Sequence, residues 1–139
     1  MKQSVRLSNS VHLLALIALD PFSDLTSTRL AKSINTNPSY VRQLMSKLKK
    51  AGLLNSTHGH ARPRLNLPAT KITLLDIYQA VEPRPLLNLD TDIDPNCGTG
   101  QNIQIALGEY YDQIQNSLNA QLAQITLQDV LDSYARHLA

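Results

Sequence analysis

The fold turns on the stretch Pro38-Ser39-Tyr40-Val41-Arg42-Gln43-Leu44-Met45-Ser46-Lys47-Leu48-Lys49-Lys50-Ala51-Gly52. Val41, Leu44, Met45 and Leu48 recur at helical spacing. Asn37 stands where a cap belongs, Pro38 suits the first helical position, and Gly52 suits the residue just past a helix end. With the apolar set turned inward, the opposite face carries Ser39, Arg42, Gln43, Ser46 and Lys50, with Tyr40 and Lys47 on its flanks. Small hydroxyls, a guanidinium and an amide near a helix N-terminus can reach base edges in a major groove. Lys47, Lys49 and Lys50 suit phosphates. Taken alone, such a face is more often an ordinary solvated surface, and it is the preceding helix-turn and the basic wing behind it that reverse this.

Upstream, Val5 to Leu19 is apolar at most positions and free of Gly and Pro, which predicts a largely buried first helix. Thr26 is a good N-cap for a second helix running to about Ile34, with Leu25 and Leu30 placed to close a hydrophobic staple. Thr26 is also expected to contact DNA. Asn35-Thr36-Asn37-Pro38 then reads as a turn between two helices. Downstream, Leu54 and Leu65 with Leu67 flank a polar tip from Asn55 to Arg64, the pattern of a short two-stranded hairpin. That tip carries His58, His60, Arg62 and Arg64, and either arginine could enter a narrow minor groove. Three helices, a tight turn and a basic hairpin predict a mainly α fold with a small β-wing, a winged helix-turn-helix over residues 1–82.

Thr73 opens a fourth helix, with Asp76 completing a capping-box-like pair. Residues 83–101, rich in Pro, Gly and Asp, read as a loop or linker. Residues 102–139 then hold a long helix and a short last one capped by Thr126. The long helix carries Ile103, Leu107, Tyr110, Ile114, Leu118, either Gln121 or Leu122, and Ile125 along a narrow seam, which asks for a partner helix. Charge divides along the same line. Residues 1–71 hold eleven basic and two acidic side chains, a balance of +9, and the remainder holds two basic and nine acidic ones, a balance of −7. The basic half is suited to a polyanion, although two differently solvated surfaces would look alike.

These segments resemble the Rrf-type winged-helix transcriptional regulators (the IscR, NsrR and CymR-like family). The likeness lies in Leu30-Ala31-Lys32-Ser33-Ile34, in Pro38 to Leu53, in Ile72-Thr73-Leu74-Leu75-Asp76-Ile77 and in Thr126-Leu127-Gln128-Asp129-Val130-Leu131. The resemblance implies a homodimer in which the long helix, here about 102–124, crosses its twofold mate. It implies recognition of a pseudo-palindromic operator in double-stranded DNA, with recognition helices ~34 Å apart, and action as a repressor. Family wings commonly carry paired glycines and an aromatic where Ala61, Arg62 and Pro63 stand here. The sensory members hold an iron–sulfur cluster on three cysteines before the long helix, whereas Cys97 is the one cysteine of this chain. Clusters need several thiolates, so the expectation is no cluster and no cofactor, as in the cluster-free, YwnA-like members.

Cys97 has two readings. The adjoining helix N-terminus favours thiolate and a redox switch, whereas Asp90, Asp92 and Asp94 oppose it and leave a passive, partly buried cysteine, the preferred reading. His58 and His60 could share a metal, but no third or fourth ligand stands near them, so no metal site is expected. His12 and His137 read as local packing. There is no glycine-rich phosphate loop, nucleophile elbow or His–Cys pairing, which argues against an enzyme. The longest apolar run, Leu13 to Leu19, is too short to span a membrane, and a cytoplasmic protein is expected. Tyr78, Tyr110 and Tyr111 have two readings, a ligand site between the first unit and the long helix or, more often for such residues, core or interface packing. The rival to DNA binding is a winged-helix module that docks on other proteins.

Overall fold

The structure, a computed structural model, describes residues 4–22, 24–55 and 62–138. Helices α1 (Arg6–Leu19), α2 (Ser27–Ser33) and α3 (Pro38–Lys50) are followed by strands β1 (Leu54–Asn55) and β2 (Arg64–Leu65). After a 3-10 turn at Ala69–Lys71 come α4 (Leu74–Val81), α5 (Gly98–Gln124) and α6 (Leu127–His137). The strands pair antiparallel, Leu54 with Leu65 and Asn55 with Arg64.

The two ends of α3 are set by its own sequence. Before it, Asn35 takes the left-handed conformation (φ 54°) that asparagine tolerates. Thr36 N–H donates to Ala31 C=O at 2.9 Å and Asn35 N–H to Lys32 C=O at 3.3 Å, closing α2 as a Schellman motif. The Asn37 side chain then caps α3 by accepting from Tyr40 N–H at 2.8 Å. At the far end Gly52 has φ 82°. Leu53 N–H reaches Leu48 C=O and Gly52 N–H reaches Lys49 C=O, each at 3.0 Å, so the same motif ends α3 and turns the chain into the wing. Asn66 closes the wing's base, with N–H to Leu53 C=O and Nδ2 to Gly52 C=O, both at 3.0 Å.

One core joins all of this. Leu13, Leu14, Leu30, Leu44, Leu48 and Ile77 are fully enclosed, and Leu127 from α6 belongs to the same cluster. The helix after α5 therefore returns to the first unit, packing on α1 and on the 3-10 turn. Its anchor is a single antiparallel bridge between Thr73 and Thr126. Leu74 N–H donates to Ile125 C=O and Leu127 N–H to Ile72 C=O, both at 2.8 Å. Each threonine also heads a complete capping box, with Asp76 and Asp129 respectively. Thr73→Ala and Thr126→Ala are each expected to lower stability by about 1 kcal/mol, read as a lower urea midpoint at unchanged slope.

Two boundaries differ from the expectation. The long helix begins at Gly98, so residues 98–101 are helical rather than linker. The glycines had signalled loop, but in a first turn their N–H groups need only a cap, and Cys97 Sγ accepts from Gly100 N–H at 3.3 Å. Residues 102–139 are also not one separate piece, because α6 shares the core of the first unit. No helix among the described residues is long and apolar enough to cross a membrane.

Candidate nucleic-acid interface

Val41, Leu44 and Leu48 are buried, and Met45 is half-buried against the same core. That fixes the rotation of α3, leaving Ser39, Arg42, Gln43, Ser46, Lys47, Lys49 and Lys50 exposed on its outer side. Six of the predicted site residues thus share one helical surface. Arg42 Nη2 donates to Ser39 Oγ at 3.3 Å, one turn earlier, which lays the guanidinium along the helix toward its N-terminus. Tyr40 turns the other way. It is half-buried, and its hydroxyl accepts from Asn9 Nδ2 of α1 at 3.0 Å, so it braces α3 against α1.

Thr26 lies apart, at the start of α2. Its hydroxyl donates to Asp24 Oδ1 at 2.9 Å and accepts from Arg29 N–H at 3.2 Å, so its hydrogen-bonding capacity serves the cap. Those bonds to Asp24, first from the Thr26 hydroxyl and then from its backbone N–H, hold the carboxyl below its ordinary pKa. The stabilisation from this exposed group is present above the ordinary carboxylate value and is lost as pH falls through the lowered one.

The wing differs from a simple basic tip. Arg64 is in β2, paired with Asn55 and exposed at the strand. Arg62 is not a free probe of a groove: its guanidinium pairs with the Asp20 carboxylate and donates to Phe22 C=O at 3.0 Å. Arg29 stacks on the Phe22 ring 4.2 Å from its centre. The wing's return strand is thereby tied to the α1–α2 connection, which begins at Asp20 in the left-handed conformation (φ 50°). Sequence reasoning missed this tie, since partners 42 positions apart leave no local pattern; the only hint was that Asp20 is one of two acids in a basic half. The predicted contacts His58 and His60 lie outside the described residues.

The apolar stripe of α5 is covered along one edge and open along the other. The inner side of the helix carries Leu107, Leu118 and Leu122, together with amides that hold the linker. Gln115 Oε1 accepts from Leu86 N–H at 2.9 Å and Gln104 Oε1 from Asp90 N–H at 3.2 Å. Gly108 lets Leu89 approach, since a Cβ there would lie 3.2 Å from Leu89 Cδ1. Ile103, Tyr110 and Ile114 stand on the outer side, 57%, 61% and 45% exposed. One edge of the expected stripe, Leu107, Leu118 and Leu122, is covered by the protomer itself, and the other edge, Ile103, Tyr110 and Ile114, is open to solvent. The three tyrosines divide likewise: Tyr110 faces solvent, Tyr111 is half-buried, and the Tyr78 hydroxyl meets Gln115 Nε2 at 3.4 Å.

Residues 3–133 match the family model described as Rrf2, iron-dependent transcriptional regulator. The chain belongs to the Rrf2 family. Its members are transcriptional regulators rather than enzymes, and the winged helix found here is their DNA-binding fold. The chain is 36% identical over 128 residues to YwnA of Bacillus subtilis strain 168, which carries the name of an HTH-type transcriptional regulator. That match covers 91% of this chain and 95% of YwnA. A solved structure described as that of a DNA-binding protein superposes with a TM-score of 0.73 at 35% identity, covering 91% of this chain and 98% of the other. CymR, the global cysteine regulator of Bacillus subtilis, superposes with a TM-score of 0.66 at 25% identity, covering 96% and 98%.

The Rrf2 description names iron, and the thiols that hold iron–sulfur clusters are scarce on this chain. Cys97 is its single thiol, and a cluster needs several. Among the described residues no group of three His, Cys, Asp or Glu side chains comes together for a metal. His12 instead meets Ser33 Oγ at 3.1 Å, and His137 Nδ1 bonds Ser133 C=O at 2.7 Å. Cys97 is exposed as the cap of α5, not partly buried as expected, because the helix starts immediately after it.

Proposed function

We propose that this Rrf2 protein is a homodimeric, cluster-free repressor that reads a pseudo-palindromic operator from the cytoplasm. The observation carrying the reading is the exposed face of α3, where Arg42 and Gln43 stand clear of every other element beside a row of lysines. Arg42 and Gln43 supply bidentate groups for guanine and adenine, and Lys47, Lys49 and Lys50 supply phosphate contacts. Ser39 and Ser46 add small donors between them, and Arg64 lies at the wing's base for the flanking backbone. The apolar outer side of α5 supports the dimer, since Ile103, Tyr110 and Ile114 would lose their exposure against a second copy.

Selection of bound DNA from a random pool with the purified protein tests this directly. An enriched inverted repeat is expected, with half-sites one duplex turn apart or a multiple of it; recovery without any motif would overturn the reading. Transcription in vitro from a promoter bearing the selected site should fall as protein is added, and a rise would overturn repression. Cys97 is given no switching role, so selection after thiol oxidation should enrich the same motif. A visible absorbance scan of freshly made protein should be featureless, and a charge-transfer band would reject the cluster-free assignment.

Lys49→Ala and Lys50→Ala should weaken binding to every sequence alike. Each should reduce the slope of log affinity against log salt by about 1, the signature of one lost phosphate contact. Anisotropy titrations at several salt concentrations measure it.

A further inference from the structure

Between the foot of α1, the end of α4, segment 82–88 and the inner side of α5 lies a cavity of about 800 Å³. That size is within the range of small-molecule sites. Leu7, Leu86, Leu118 and Leu122 give it an apolar surface, and Pro83 and Pro85 stiffen its rim. Three donors line it without acceptors of their own. The guanidiniums of Arg6 and Arg84 have no ion pair or hydrogen bond among the described residues. The Tyr78 hydroxyl accepts from Gln115 Nε2 but donates to nothing among them. The acid at the rim, Glu82, is engaged instead by the Ser4 hydroxyl at 2.6 Å.

We infer that this cavity binds a small organic carboxylate with an apolar body. Two guanidiniums and a phenol offer a carboxylate charge-assisted bonds that nothing in the chain supplies, and the leucines receive the body. A neutral analogue would enter without satisfying those donors, and an ammonium would meet two guanidiniums against the single carboxylate of Glu82. The occupant would touch both the unit that carries α3 and the long helix beside it.

Calorimetric titration of the full chain, without DNA, tests the site independently of the operator proposal. The probes are 4-phenylbutyrate and indole-3-propionate, with 4-phenylbutyramide and acetate as the neutral and body-less counterparts. Saturable binding of at least one of the two larger carboxylates is expected, with the amide at least ~10-fold weaker, a difference of one hydrogen-bonded charge, and acetate inert. Arg84→Gln and Tyr78→Phe should each weaken the carboxylate several-fold while circular dichroism stays that of the parent. The inference is overturned if neither carboxylate saturates by ~10 mM, an affinity too weak for a formed site. Equal binding of acid and amide, or parental affinity in both variants, overturns it as well.

Discussion

Ile114→Glu in the long helix should convert a dimer into single protomers and lower operator affinity by about 100-fold or more. Ile114 lies midway along the outer side of α5 and is already 45% exposed, so the change leaves the protomer's own core intact. In a twofold pairing each α5 would bring its carboxylate against apolar neighbours of the other, Ile103 and Tyr110 among them, and desolvating an unpaired charge costs several kcal/mol. Without the pairing, the second recognition helix no longer binds at the high local concentration set by the first, a loss of ~10²–10⁴ in avidity. Sedimentation equilibrium reads the assembly, anisotropy reads the affinity, and an unchanged thermal melt at low concentration shows that the protomer stays folded. A variant that remains dimeric, or binds the operator as the parent does, removes the long helix from the interface.

Arg42→Ala should abolish discrimination at one base pair in each half-site, at a cost of ~1–3 kcal/mol, or about 5- to 150-fold, against the selected operator. Binding to unrelated duplex should hardly change. The contrast with Lys49 and Lys50 is the point, because a bidentate guanidinium distinguishes guanine from the other bases whereas an ammonium on a phosphate does not. Gln43→Ala should relax a neighbouring position in the same way. Competition binding against single-position operator variants gives the discrimination at each base. If Arg42→Ala weakens all sequences equally, the residue is a backbone contact and the reading direction of α3 has to be revised.

Most of the secondary structure was legible because its signals are local. Asn37 with Pro38, Gly52, Thr26, and the pairs Thr73–Asp76 and Thr126–Asp129 lie within one helical turn of the backbone groups they serve, so spacing alone identifies them. The exposed residues of α3 were legible for a related reason: once four apolar positions must be buried, the opposite face is what remains. The start of α5 was not, since Gly98 and Gly100 carry a loop signal that only the Cys97 cap outweighs.

The chain's order of residues therefore determined by itself where most helices begin and end and which side of α3 is left exposed, because hydrophobic periodicity and capping act over three or four residues. Only the folded molecule decided that Arg62 turns back to Asp20, that Tyr40 braces α1, that one edge of the apolar stripe of α5 is covered and the other left open, and that α6 closes onto the first core. Each of those depends on groups brought together from distant points in the chain, where charge pairing and burial are settled by packing geometry and leave no periodic trace in the sequence.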